Sequence, residues 1–137
     1  MKNWKLILAV GALAGALPIL WGHGAEPKQD PKKVEELMRC KLTASQKVLE
    51  GVAIADFDMI SKHAAELMRV SKEAEWKVVQ TPMYEVFSND FRRNAETLIQ
   101  KAEEKNLDGA ALAYMELTMS CVKCHKHVRE VRMTRRD

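Results

Sequence analysis

The stretch SCVKCHKHVRE, residues 120 to 130, holds Cys121 and Cys124, a histidine directly after the second cysteine, and a further histidine at position 127. Three chemistries can use such a set. Cys121 and Cys124 could cycle as a redox dithiol, which calls for a thiol whose pKa is lowered at the start of a helix in a strand-containing fold. The two cysteines with His125 and His127 supply the four donors of a zinc site, although structural zinc usually draws its ligands from two separated pairs. The third chemistry is haem attachment. Two thiols can add across the vinyl groups of a haem while His125, the next residue, reaches the iron from the same side. In this last reading each of Cys121, Cys124 and His125 has a distinct task.

Which chemistry applies depends on the elements that carry the motif. The chain has 137 residues, 47% apolar and 30% charged, with four prolines and six glycines. That length suits one domain with a real core, and the scarcity of turn residues favours helices over a β-fold. Asp30 and Pro31 read as an N-cap followed by proline at the first helical position. From there Val34, Leu37, Met38, Leu42, Ser45, Leu49 and Val52 recur in steps of three and four, predicting a first helix to about Val52 with these residues inward. Phe57, Ile60, Ala64, Leu67, Ser71, Ala74 and Val78 predict a second helix that stops before Pro82. Tyr84, Phe87, Phe91, Ala95, Leu98 and Ala102 predict a third. Leu107, Ala110, Tyr114, Leu117, Cys121, Cys124, Val128 and Val131 predict a fourth, with Asp108 as its cap. Short connections make neighbouring helices run up and down, so the expected fold class is all-α, an antiparallel four-helix bundle with the motif on the inner seam of its last helix.

The first 24 residues place Lys2 and Lys5 before an apolar run from Leu6 to about Trp21, followed by Gly22 and Gly24, the pattern of a secretory signal. An uncleaved anchor is the alternative, with about 16 apolar residues against the ~20 that span a bilayer. Removing the segment after Gly24 or Ala25 takes away two lysines and no acid, so the formal charge of +3 falls to +1. A chain so near neutrality has no electrostatic case for nucleic acid. The expected organisation is a signal over 1–24, a linker over 25–30, the helical domain over 31–131 and a basic tail over 132–137. Export to an oxidising compartment favours cysteines held in cofactor links or disulfides. Cys121 and Cys124 go together, and Cys40 is left over.

An exported four-helix chain with CxxCH near its carboxyl end resembles the class II c-type cytochromes, the cytochrome c′ family. The likeness covers the layout of the whole mature chain, and the diagnostic residues lie in the last helix. Arg129 stands where the family commonly has an arginine four residues after the histidine, while Val128 replaces the frequent aromatic. The segment KKVEELMRCKLTASQKVLEGV is similar to the family's first helix. Met38 falls where low-spin members carry a ligand methionine, and Val34 replaces a frequent arginine one turn earlier. The resemblance implies one covalent haem c held by Cys121 and Cys124, with Arg129 beside it and the iron ligated by His125 and Met38. It implies a periplasmic one-electron carrier rather than an enzyme, with redox proteins as partners, no membrane span after cleavage, and a homodimer through the first two helices that could involve Cys40. A five-coordinate iron that binds nitric oxide or carbon monoxide is the alternative within the family, with Met38 then a packing residue. A zinc-stabilised helical interaction module is the alternative from another class. His127, about 200° around the helix from His125, is expected to face solvent, His63 to sit at a helix boundary or surface, and Cys40 to point outward.

Overall fold

The computed structural model describes residues 30–73 and 81–134. The signal segment with His23, most of the linker, the end of the second predicted helix with Ala74 and Val78, and the last three residues lie outside them. Among the described residues there are four helices and no strand: α1 (Pro31–Ile54), α2 (Phe57–Ser71), α3 (Pro82–Glu103) and α4 (Leu107–Thr134).

Each start follows from capping chemistry. The Asp30 side chain accepts the Lys32 N–H at 3.0 Å ahead of Pro31, and Thr81 accepts the Tyr84 N–H at 3.2 Å ahead of Pro82. α1 ends at Ala55, which takes the left-handed conformation (φ 57°, ψ 33°) and returns its N–H to the Gly51 and Val52 carbonyls. Asp56 then caps α2 at once, accepting the Met59 N–H at 2.9 Å. With only two residues between them, α2 must fold back beside α1. Gly51 permits the approach, because a Cβ there would lie 3.0 Å from Ile60 Cγ1 and 3.1 Å from the Asp56 carbonyl. At α4 the cap is Asn106, whose side chain accepts the Gly109 N–H at 2.9 Å, and not Asp108, which sits inside the first turn. Lys105 makes the preceding reversal with φ 53°.

Two helix limits differ from expectation. α2 stops at Ser71 rather than continuing toward Pro82. Its last carbonyls are taken by tightened three-residue bonds, Lys72 N–H to Arg69 and Glu73 N–H to Val70, while the Ser71 hydroxyl bonds back to Met68 O at 2.9 Å. α4 runs on to Thr134, so Arg132 is a helical residue rather than the start of a tail.

One large core holds Val48 from α1, Ile60 and Leu67 from α2, Phe91 and Leu98 from α3, and Ala110, Ala113 and Leu117 from α4. Burying each of the larger aliphatic side chains contributes about 1.5–3 kcal/mol before chain entropy is counted. A smaller cluster of Leu37, Val70 and Tyr84 closes the other end, with Met38, Cys124, Val128 and Val131 packed against it. Ser45 of α1 meets Tyr114 of α4 (3.4 Å between hydroxyl oxygens), while Met38, two turns earlier, sits near Cys124, so α1 and α4 run antiparallel. The packing is that of a helical bundle. On α1 the inward residues are Leu37, Ala44, Val48 and Gly51, and Leu42 and Leu49 are exposed instead. Small residues at 44 and 51 mask the true inward line, which lies about a third of a turn from the leucine-rich one.

Candidate functional site

α1 and α4 touch each other less than any other adjacent pair of helices, and toward the amino end of α1 they part to leave a cleft. The cleft has a volume of about 190 Å³ and opens to solvent at its mouth. Cys121, Cys124 and His125 form its α4 wall, and Met38 with Lys41 forms its α1 wall. Tyr84, Phe87 and Phe91 of α3 make an aromatic floor.

Helical spacing explains this grouping. Cys121 and Cys124 lie three residues apart on the half-buried seam that continues from Leu117, and His125, one turn from Cys121, stands beside them at the exposed mouth. Arg129 and Arg132 follow on that same edge and add positive charge at the mouth. The structure thus brings all five expected site residues to one cleft.

The cleft favours uncharged groups. Burial raises the pKa of both thiols, outweighing the opposite pull of the nearby Lys41 ammonium. Burial also lowers the pKa of His125, with Lys41, Arg129 and Arg132 adding to the effect. Neutral imidazole is the form that ligates a metal. The raised thiol values are the reverse of what a dithiol catalyst needs, and both cysteines are free thiols. No group of three or more His, Cys, Asp or Glu side chains among the described residues is arranged to hold a metal ion. His127 explains why the four-donor zinc set does not assemble. Its Nε2 shares a hydrogen bond with Thr81 Oγ1 at 2.8 Å, and its ring packs at 5.7 Å from that of Phe87. The 200° turn from His125 does carry it away from the cleft, but α3 rather than solvent occupies that side. There His127 ties α4 to the N-cap of α3.

His63 is half-buried within α2 and lies in the groove between α1 and α2 with Arg39 and Cys40, remote from the cleft. Cys40 is exposed and free.

Lys41 was not identifiable by its type. One turn from Met38, it enters the cleft with its ammonium 3.6 Å from the centre of the Phe91 ring. Burial pushes its pKa down from 10.5 to about 7, with Arg92 lowering it further and Cys121 and Cys124 acting the other way. The only signal in the sequence is position, three residues after Met38 and three before Ala44. The amine is charged in both the folded and unfolded states below about pH 7, where the burial cost is fully present. Between about 7 and 10.5 the unfolded chain holds a proton that the folded chain has released, so stability rises with pH. The slope should not exceed about 1.4 kcal/mol per pH unit. Urea unfolding at several pH values should show this rise in the parent and a flatter profile, with higher stability near neutrality, in Lys41→Leu. Parallel profiles for the two proteins would show that the amine is not buried.

Ser88 also borders the cleft at 7% exposure, and its hydroxyl has no hydrogen-bond partner among the described residues. A buried hydroxyl left unsatisfied costs about 1–3 kcal/mol, so Ser88 offers a hydrogen bond to a water or a polar group entering the cleft.

Comparison of the chain with known protein families, with curated proteins and with solved structures gives no match in any of the three. The residues themselves therefore carry the functional argument. An apolar cleft, two thiols three residues apart on one wall, a neutral imidazole beside them and a thioether opposite form a donor set that fits a covalently held haem.

Proposed function

We propose that this chain is an exported, monohaem c-type cytochrome of the class II kind that carries one electron between redox proteins in the periplasm. The observation that supports it most is the position of CxxCH on one wall of an apolar cleft with Met38 on the facing wall. Cys121 and Cys124 would hold the haem covalently, and His125 and Met38 would ligate its iron from α4 and α1. Such a haem supplies a reversible one-electron change at iron, and thioether ligation raises the potential relative to two histidines. The chain's own part is to bind, orient and shield. Val34, Val128 and the aromatic floor would shield the group from water, Arg129 and Arg132 offer positive charge at the mouth for carboxylates, and the two walls would present His125 and Met38 to it. Nothing in this arrangement calls for bond-making catalysis. No helix among the described residues is long and apolar enough to cross a membrane.

The test is the visible spectrum in both oxidation states, with and without nitric oxide, of protein made in a host that attaches haem. A low-spin spectrum in both states, turning high-spin in Met38→Ala, is expected. A high-spin ferrous spectrum that shifts on adding nitric oxide would replace the carrier with the five-coordinate, gas-binding alternative. Colourless protein with stoichiometric zinc would dispose of both.

A further inference from the structure

α4 is apolar on two faces. One faces the core and the cleft; the other, directly opposite, carries Leu112 (61% exposed), Met115 (66%), Met119 (52%) and Val122 (52%) in a single line on the outside of the bundle. A helix apolar on both sides is usually covered on both. Solvated Asp108 and Lys126 extend the line at its two ends, and neither has an ion-pair partner among the described residues. The order along the line is acid, four apolar residues, base.

That order is complementary to itself in reverse. A two-fold axis passing beside Leu117 relates position 108 to 126, 112 to 122 and 115 to 119. A second α4 laid antiparallel therefore sets Leu112 against Val122, Met115 against Met119, and Asp108 against Lys126 at both ends. A parallel pair would place like charges together instead. Closed two-fold pairing demands such a self-complementary patch. Residues 108 to 126 span about 27 Å of helix, long enough for a sustained seam. Methionine suits the centre of such a contact because its thioether adapts to the surface it meets.

We propose that the outer face of α4 is a homodimer interface, in which two copies of this chain pair antiparallel through Leu112, Met115, Met119 and Val122 with reciprocal Asp108–Lys126 ion pairs. The line lies on the opposite side of α4 from Cys121 and Cys124, so pairing leaves the cleft mouth accessible. The proposal does not depend on what the cleft binds.

Sedimentation equilibrium of the purified protein over a concentration series tests it, with circular dichroism as the check on folding. The parent is expected to dimerise, and Met115→Lys with Met119→Lys to weaken association at least tenfold without loss of helix. Asp108→Lys and Lys126→Asp should each weaken it severalfold at low salt, and added salt should then strengthen the remaining association by screening the like charges. The double charge swap D108K/K126D should restore the parent affinity. A parent that stays monomeric at high concentration overturns the proposal, as does a double swap no better than its singles. Dissociation by Leu42→Arg on α1 with α4 variants unaffected would overturn it in favour of an interface through α1 and α2.

Discussion

Protein carrying Cys121→Ala and Cys124→Ala, produced alongside the parent in a haem-attaching host, is expected to lose all colour that survives acid-acetone extraction. Either single variant should keep a weaker covalent link, since one thioether remains possible. His125→Ala should retain the attached group but lose the iron ligand from α4, and so differ from the cysteine variants in spectrum rather than in retention. His127→Ala is the informative control. It breaks the hydrogen bond to Thr81 and should reduce stability by about 0.5–1.5 kcal/mol while leaving both attachment and spectrum unchanged. Equal loss of covalent haem in the parent and the cysteine pair would remove the basis of the proposed function.

The largest effect on folding is expected from Leu117→Ala. Leu117 is fully buried on α4 one turn before Cys121, where it packs among Val48, Leu67, Phe91 and Leu98 in the main core. Truncation removes the transfer energy of the side chain and leaves a cavity that the helices only partly fill, a cost of about 2–5 kcal/mol. Against a typical domain stability of about 5–15 kcal/mol this is a large fraction. Urea unfolding should show a midpoint well below that of the parent with an unchanged slope. Leu112→Ala, on the outer face of the same helix, should change monomer stability by less than about 0.5 kcal/mol. If the two substitutions cost the same, the assignment of inner and outer faces on α4 is wrong.

Much of this architecture is legible in the residues alone. The Asp30 cap with Pro31 behind it and the three-four spacing on α3 and α4 are local signals, and local chemistry obeyed them. Cys121, Cys124 and His125 were legible because an unusual spacing coincided with a helical seam. The failures came where packing, not spacing, decides. Leu42 and Leu49 look more inward than Ala44 and Gly51 by type, yet close approach to α2 selects the small residues. Lys41 was unreadable because a lysine announces solvent; only the gap between α1 and α4 turns its stem inward over Phe91. The angle of His127 is legible from helical spacing but its contact with Thr81 and Phe87 is not, since a helical wheel does not say which neighbour stands on each side. The early end of α2 depends on hydrogen bonds among its last residues that apolar periodicity does not register.

The left-handed Ala55 and the two-residue connection to α2 give α1 a fulcrum. Met38 lies 17 residues from it, an arm of about 26 Å along the helix. A tilt of only ~5° about that point would displace Met38 by ~2 Å across the cleft. The close approach of Gly51 to Ile60 and Asp56 therefore bears on the width of the cleft at the far end of α1: a bulkier residue at position 51 would be expected to change the gap at Met38 more than the gap at its own position.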